Sequence, residues 1–210
     1  MKEIVKILEN TGALMPNGHF VGVSGRHLDT YITKDALLPH TGEISKIAKK
    51  LAEKAKNLKI DVVVGPALGG IVLSQWVAHH LSKIQKKEIL SFYTEKTLDA
   101  GQIFTRGYDE KVKGKNVLIV EDTVTTGSSA MKVVQAVRNA RGKVVKVLVI
   151  TNRDPKTVNS KSLGIPFDAL CELSLNSYDP KDCPMCKAGI PVNTKLGHGK
   201  KFLESLNKKK

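Results

Sequence analysis

The densest group of chemically useful side chains lies in the run Val117-Leu-Ile-Val-Glu-Asp-Thr-Val-Thr-Thr-Gly-Ser-Ser129. Two acids, Glu121 and Asp122, are followed by four hydroxyl residues, Thr123, Thr125, Thr126 and Ser128, around the single glycine Gly127. Such a loop suits a phosphate, because hydroxyl donors join the orphan N–H groups and the positive dipole end of a helix start. Gly127 lets the backbone take positive φ and approach a ligand closely. The two carboxylates would repel a phosphate, and instead suit sugar hydroxyls or a hard cation with oxygen ligands. A phosphorylated sugar satisfies both halves. Neither G-x-x-x-x-G-K-[ST] nor G-x-G-x-x-G occurs in the chain, which sets aside the two common nucleotide loops. A plain βα turn with a Ser/Thr cap accounts for one hydroxyl and one glycine, but not for an acid pair followed by four hydroxyls.

A strand and a helix must hold this run in place. Val117 to Val120 is an unbroken apolar stretch, the pattern of a strand buried on both faces. Beyond the loop, Ala130, Val133, Val134 and Val137 recur at helical spacing. The same alternation runs along the chain. Residues 2–10 read as a helix, and 19–34 as extended chain punctuated by Gly18, Gly22 and Gly25. Thr41 is placed to cap a helix whose apolar face is Ile44, Ile47, Ala48, Leu51 and Ala55. A strand at Val62–Val64, the turn Gly65-Pro-Ala-Leu-Gly-Gly70 and a helix over 71–83 follow. Next come a strand over 89–93, a polar stretch from Thr94 to Lys115, and, after the central run, strands over 144–151 and 167–173. This order predicts an α/β fold, a mostly parallel sheet covered on both faces. Ligands of such sheets gather beyond the carboxyl ends of the strands at a topological switch point, where the acids and hydroxyls fall.

A chain of 210 residues with 41% hydrophobic content predicts one domain with a sizeable core. No run of 18 apolar residues exists to span a membrane. MKEIVKILEN reads as an amphipathic helix rather than a secretory leader, and three cysteines are too few for a disulfide framework. These features predict a cytoplasmic protein with no membrane partner. The net charge of +14, from 34 basic and 20 acidic side chains, suits nucleic acid, an anionic surface or a polyanionic small ligand. Much of it sits on solvated places: Lys46, Lys49, Lys50, Lys54 and Lys56 of one helix, and Lys208 to Lys210 at the end.

The 117–129 run resembles the phosphoribosyl-pyrophosphate (PRPP) binding motif of type I phosphoribosyltransferases, with four apolar residues, two acids and a T-x-T-T-G-x-S-like loop. The resemblance implies that family's fold, a mostly parallel sheet flanked by helices with an N-terminal hood. It divides a single structural domain into a hood over 1–40, a PRPP-binding core over 41–175 and a tail over 176–210. It assigns Thr123, Val124, Thr125, Thr126, Gly127 and Ser128 to the 5′-phosphate. Glu121 and Asp122 fall to the ribose hydroxyls and to Mg²⁺, held directly or through PRPP and water. Ala67, Leu68, Gly69 and Gly70 match the loop that cradles pyrophosphate.

The pattern is most similar to the orotate phosphoribosyltransferases. Thr11-Gly-Ala-Leu14, Gly18-His-Phe20, Ser24-Gly-Arg-His27 and Tyr31-Ile-Thr-Lys-Asp35 resemble the hood over the base, with Lys34 as a base or phosphate contact. Arg153, in Thr151-Asn-Arg-Asp154, matches the arginine that takes the orotate carboxylate, a role suited to a planar guanidinium. Glu95-Lys96 and Gln102-Ile-Phe-Thr-Arg-Gly-Tyr108 resemble the mobile loop, here 94–109, that closes over PRPP and reaches the partner's site in a homodimer. Lys96 and Arg106 would neutralise pyrophosphate. Two departures stand out: the loop has no histidine and ends Arg106-Gly107-Tyr108, and Leu28-Asp-Thr30 stands where S-P is more usual.

Cys183-Pro-Met-Cys186 has the spacing of a metal-ligand pair, with Cys171 and His198 as further candidates for a structural site. The resemblance reads it as a family tail, C-P-x-C followed by Gly189-Ile-Pro191, with reduced thiols. His79-His80 falls in a helix and reads as packing and surface. The implied activity converts orotate and PRPP to orotidine 5′-monophosphate and pyrophosphate, in pyrimidine biosynthesis and with Mg²⁺. Two other readings share the PRPP loop. A purine or other nucleobase phosphoribosyltransferase would need a stacking aromatic, for which Phe167 is the nearby residue. A PRPP-sensing regulator would use the +14 charge on nucleic acid, but no helix-turn-helix precedes residue 40 and Lys96 and Arg106 would have no purpose. Nucleic acid is therefore not an expected partner.

Overall fold

The structure, a computed structural model, describes residues 1–207; the lysines at 208–210 lie outside the described residues. The elements begin α1 (Lys2–Asn10), β1 (Leu14–Met15), β2 (Phe20–Val21), β3 (His27–Leu28), β4 (Tyr31–Ile32), α2 (Lys34–Leu37) and α3 (Thr41–Ala55). They continue β5 (Val62–Pro66), α4 (Gly69–Gln85), β6 (Leu90–Lys96), β7 (Gln102–Ile103), α5 (Tyr108–Val112), β8 (Asn116–Val124), α6 (Ser128–Asn139) and β9 (Lys143–Asn152). The last are α7 (Ser160–Leu163), β10 (Phe167–Glu172), β11 (Ser177–Tyr178), α8 (Pro184–Lys187) and α9 (Gly199–Asn207). Two compact units result: Met1–Ile7 with Lys34–Ser174, and Leu8–Thr33 with the segment from Leu175. No helix among the described residues is long and apolar enough to cross a membrane.

The first unit is built on a six-stranded sheet in the order β10-β9-β8-β5-β6-β7, parallel except for the last pair. Its central strands are valine-rich because β-branched side chains pack well on a pleated surface. Val62, Val64, Val117, Ile119, Val147 and Val149 share a core with Ala130, Val133, Val134 and Val137 of α6. The alternate residues Val63, Leu118, Val120, Leu148 and Ile150 face the other way and are equally buried. There α3 and α4 pack on the sheet, burying Ile44, Ile47, Leu51, Leu73, Val77 and Leu81. The chain moves from β5 to β6 on one side and later places β8 on the other side of β5. The β5–β8 boundary is thus the switch point, and it opens a crevice at the carboxyl edge.

Several boundaries differ from the sequence reading. Strand β8 does not stop at Val120, because β9 extends to Asn152 and keeps the pairs Glu121↔Val149, Thr123↔Thr151 and Val124↔Asn152. Helix α4 starts at Gly69, so Gly69 and Gly70 of the preceding turn belong to its first turn. Thr41 is not a cap; the N-cap of α3 is His40, which makes no side-chain cap bond. The Thr94–Lys115 stretch is not structureless. Strand β6 runs on to Lys96 and turns back into β7 with Glu95↔Ile103 and Lys96↔Gln102, and α5 follows. A two-residue pairing has too short a period to be read from a sequence.

The second unit has two small antiparallel sheets, β1-β4 and β11-β3-β2, made of two-residue strands. Central β3 pairs His27 with both Val21 and Tyr178. Arg26 ties it to β11 by donating from Nε and Nη2 to the Ser177 hydroxyl and carbonyl, both at 2.7 Å. Helix α9 follows on, the ring of Phe202 meeting His27 edge-on at 4.8 Å.

Candidate active site

Four neighbouring strand ends carry the residues singled out by sequence. Glu121 and Asp122 lie near the end of β8, the 65–70 loop leaves β5, Lys96 ends β6, and Arg153 follows β9. The loop after β5 is shaped by close backbone approach. A Cβ on Gly65 would strike the Gly70 carbonyl group, and a Cβ on Gly70 would come within 2.6 Å of the Pro66 ring and 2.8 Å of the Gly65 carbonyl carbon. Only glycine at both positions lets the turn close this tightly. The Ala67 N–H is anchored at 2.8 Å to the Thr94 carbonyl of the next strand. Leu68 is 81% exposed, so this loop offers a ligand backbone and open space rather than an apolar lining.

Gly69 does a different job. A Cβ there would lie 2.5 Å from Cδ and 2.8 Å from Cε of Lys34, and 3.1 Å from Oδ2 of Asp122. The bare glycine therefore leaves the groove in which the Lys34 side chain lies, with its ammonium 4.0 Å from Asp122. Residues from three separate sequence motifs thus meet across the switch point.

Both acids are placed against their normal tendency to ionise. Glu121 is 8% exposed, and its Oε2 has no hydrogen-bond partner among the described residues. Burial pushes its carboxyl from 4.5 up to about 8, and the adjacent Asp122 charge adds to the rise. Burial also raises Asp122, against the pull of the Lys34 ammonium. A pair held in this state is poised to accept hydrogen bonds or a cation.

The hydroxyl loop follows directly. Gly127 takes φ 74° as the N-cap of α6 and, having no side chain, gives the helix no capping bond from that position. Thr125, Thr126 and Ser128 are exposed at this helix start, where the Ser128 N–H donates to the Thr126 hydroxyl at 3.4 Å. Thr123 remains in the strand and Val124 points into the core, so Val124 can meet a ligand through its backbone alone.

The Val124 carbonyl accepts from the Arg153 N–H at 2.9 Å, which fixes the backbone of Arg153 beside the end of β8. Asn152, 1% exposed, holds the turn that presents Arg153: its Nδ2 donates to the Val158 carbonyl at 2.8 Å and its Oδ1 accepts from the Asp154 N–H at 3.1 Å. Sequence reading missed this positioning residue. Lys96 and Arg106 stand on the β6–β7 hairpin, Lys96 exposed and Arg106 paired with Glu95 at 3.3 Å, where Glu95 also accepts from Thr105 at 2.7 Å. Glu95 is the second missed residue, since it sets the direction of the arginine. A separate groove of about 640 Å³ opens at the other edge of the sheet, lined by Lys83, Lys86, Lys87 and Glu88.

A parallel sheet with a glycine-built turn on one side of its switch point and an acid–hydroxyl loop on the other defines a sugar-phosphate transferase site. Residues 34–164, more than half of the chain, match the family described as "Phosphoribosyl transferase domain". The orotate phosphoribosyltransferase of Thermotoga maritima is 38% identical over 200 residues, 94% of this chain and 100% of that protein. That of Caldanaerobacter subterraneus subsp. tengcongensis is 35% identical over 191 residues, 91% and 94% of the two chains. The crystal structure of orotate phosphoribosyltransferase from Aeropyrum pernix superposes with a TM-score of 0.64 at 26% identity, covering 81% of this chain and 93% of that one. The chain therefore belongs to the phosphoribosyltransferase family, on its orotate phosphoribosyltransferase branch.

Proposed function

We propose that this protein transfers the 5-phosphoribosyl group of PRPP to orotate, releasing orotidine 5′-monophosphate and pyrophosphate for pyrimidine biosynthesis. The carrying observation is the convergence of Lys34, Gly69 and Asp122 at the switch point, beside a hydroxyl loop whose N-cap is the bare Gly127. In the transfer a ring nitrogen of orotate bonds to C1′, the C1′–O bond breaks, and its electron pair leaves with pyrophosphate. Thr125, Thr126, Ser128 and the first amides of α6 hold the 5′-phosphate. Glu121 and Asp122 take the ribose hydroxyls and offset the positive charge that builds on the sugar. Arg153 receives the orotate carboxylate as a guanidinium–carboxylate pair. Backbone N–H groups of 67–70 with Lys34, and Lys96 and Arg106 from the hairpin, meet the pyrophosphate charge. Fixing both reactants this way can supply roughly 7–11 kcal/mol of the barrier.

Mg²⁺ fits the same acids, since both are oxygen donors and one Glu121 oxygen lacks a partner among the described residues. When bound it would neutralise charge developing on pyrophosphate. A cytoplasmic homodimer in which the 94–109 hairpin serves the partner's site completes the proposal. The test incubates purified protein with PRPP and Mg²⁺ and either orotate, a purine, uracil or nicotinate. Nucleotide formed from orotate alone is the expected result. Turnover of another base, with none of orotate, would reassign the specificity.

A further inference from the structure

In the second unit, the ligand atoms of His19, His27, Cys183 and Cys186 all lie within 4.8 Å of one another. Sequence reading paired Cys183 and Cys186 with Cys171 and His198. The structure instead puts Cys171 in β10 of the first unit and supplies the two imidazoles from 19 and 27. We propose that these four side chains form a closed tetrahedral site for a divalent transition metal, zinc by its ligand chemistry, which staples the C-terminal segment to the hood.

The distances suit that centre. Cys183 Sγ lies 3.6 Å and Cys186 Sγ 3.7 Å from His19 Nε2, and Cys186 Sγ lies 3.4 Å from His27 Nδ1. A tetrahedral zinc with bonds of about 2.3 Å to sulfur and about 2.0 Å to nitrogen sets S···N separations of about 3.5 Å. His19 Nε2 and His27 Nδ1 are 2.8 Å apart, the spacing of a hydrogen bond. Metal entry replaces that bond and spreads the rings to about 3.3 Å. One of the two imidazoles is already oriented for it. His19 Nδ1 lies 2.6 Å from the Ile190 carbonyl, so the N–H sits there and Nε2 turns a bare lone pair inward, the outer-sphere arrangement of metal-bound histidines. The Cys186 N–H points at Cys183 Sγ at 3.5 Å, which fixes the direction of that sulfur. His19, His27 and Cys183 are at most 3% exposed, while Cys186 is exposed and gives a route in. Four protein ligands leave no open position, and two sulfurs with two nitrogens favour zinc over magnesium or calcium. The unit also needs such a staple, for its strands are two residues long and small units rarely hold on apolar burial alone.

The test uses the full chain without a histidine tag, purified reduced and free of chelators. Elemental analysis should find about one zinc per chain. Metal-free protein titrated with cobalt alone should develop the visible bands of tetrahedral thiolate-bound cobalt, saturating at about one equivalent and bleached by zinc. Cys183→Ser with Cys186→Ser should abolish both signals, whereas Cys171→Ala and His198→Ala should keep them; loss in either of the latter would overturn this ligand set. If the double variant fails to fold, the wild-type cobalt spectrum decides. Wild-type protein that holds under about 0.1 zinc and gives no cobalt bands at excess metal would overturn the site.

Discussion

In the sheet-bearing unit, strands β5, β8 and β9, five to ten residues long, bury unbroken apolar runs between helices, and the polar residues stand at the strand ends where the chemistry is. In the second unit each strand is two residues long, the buried apolar set is small, with Leu14, Phe20, Val21 and Leu28 in it, and two histidines and two cysteines converge. The first arrangement spreads its stability over many contacts, so it tolerates a buried, partly uncompensated carboxyl such as Glu121. The second brings together two pairs of side chains, 19 with 27 and 183 with 186, from opposite ends of the sequence, and on the proposed metal site its stability leans on them. It should fail all at once when they are disturbed.

Chelation tests that contrast most severely. Stripping the metal from the whole protein should lower amide-exchange protection around β2, β3 and β11 by on the order of 10³-fold or more, because structural zinc sites carry folding free energy directly. Amides of β8 and β9 should keep theirs. Equal loss in both units would erase the distinction, and exchange mass spectrometry reads both at once. Asp122→Ala comes next. Removing a charge aimed at the sugar cation should lower kcat by about 10²–10³-fold. The unfolding transition followed by Trp76, the chain's one tryptophan and a residue of α4, should stay in place. A variant with full turnover would remove Asp122 from the chemistry.

Two glycines four residues apart sharpen the comparison within one loop. Gly65→Ala drives a methyl into the backbone of Gly70, which cannot yield, and should cost about 1–3 kcal/mol of stability. Gly69→Ala meets the flexible methylenes of Lys34 and improves helix propensity, so stability should hold. Displacing Lys34 should instead raise KM for PRPP by about tenfold, a loss of ~1.4 kcal/mol in binding. Urea titration and initial-rate kinetics separate the two outcomes, and a shared stability loss would mean both glycines serve packing alone.

What could be read from the chain follows the same division. The apolar runs at 62–64, 117–120 and 144–151 and the helical spacing after Ser128 located the sheet and its switch point, because burial on both faces leaves a local imprint. The acid pair and the hydroxyl loop were legible for a similar reason, since one ligand demands them within eight residues. The β6–β7 hairpin was not, as its two-residue pairing has no periodicity and Glu95 holds Arg106 through a contact across a turn. Asn152 stands in the Thr151-Asn-Arg-Asp154 run, but the two hydrogen bonds by which it holds the Arg153 turn leave no local mark in the sequence. His19 and His27 were visible as parts of hood motifs, yet nothing local ties them to Cys183. That link exists in tertiary structure alone.

The smallest effect follows from Glu121 and carries a definite sign. Its folded carboxyl titrates near 8, raised by burial from 4.5, so between those values the native state holds a proton that the unfolded chain has released. Stability therefore falls as pH rises through this window, by up to about 1.4 kcal/mol per pH unit for one proton. Below 4.5 both states are protonated, and above about 8 both are ionised, so the slope from this group vanishes at either end. Glu121→Gln removes the group, while Asp122, whose carboxyl is raised in the same direction, remains in both proteins. Relative to wild type the variant should thus gain about 1 kcal/mol between pH 6 and pH 7 in Trp76-monitored urea unfolding. Its turnover should be lower at both values. A stability difference independent of pH would mean that Glu121 is already ionised in the free protein, and that the crevice is wetter than its burial implies.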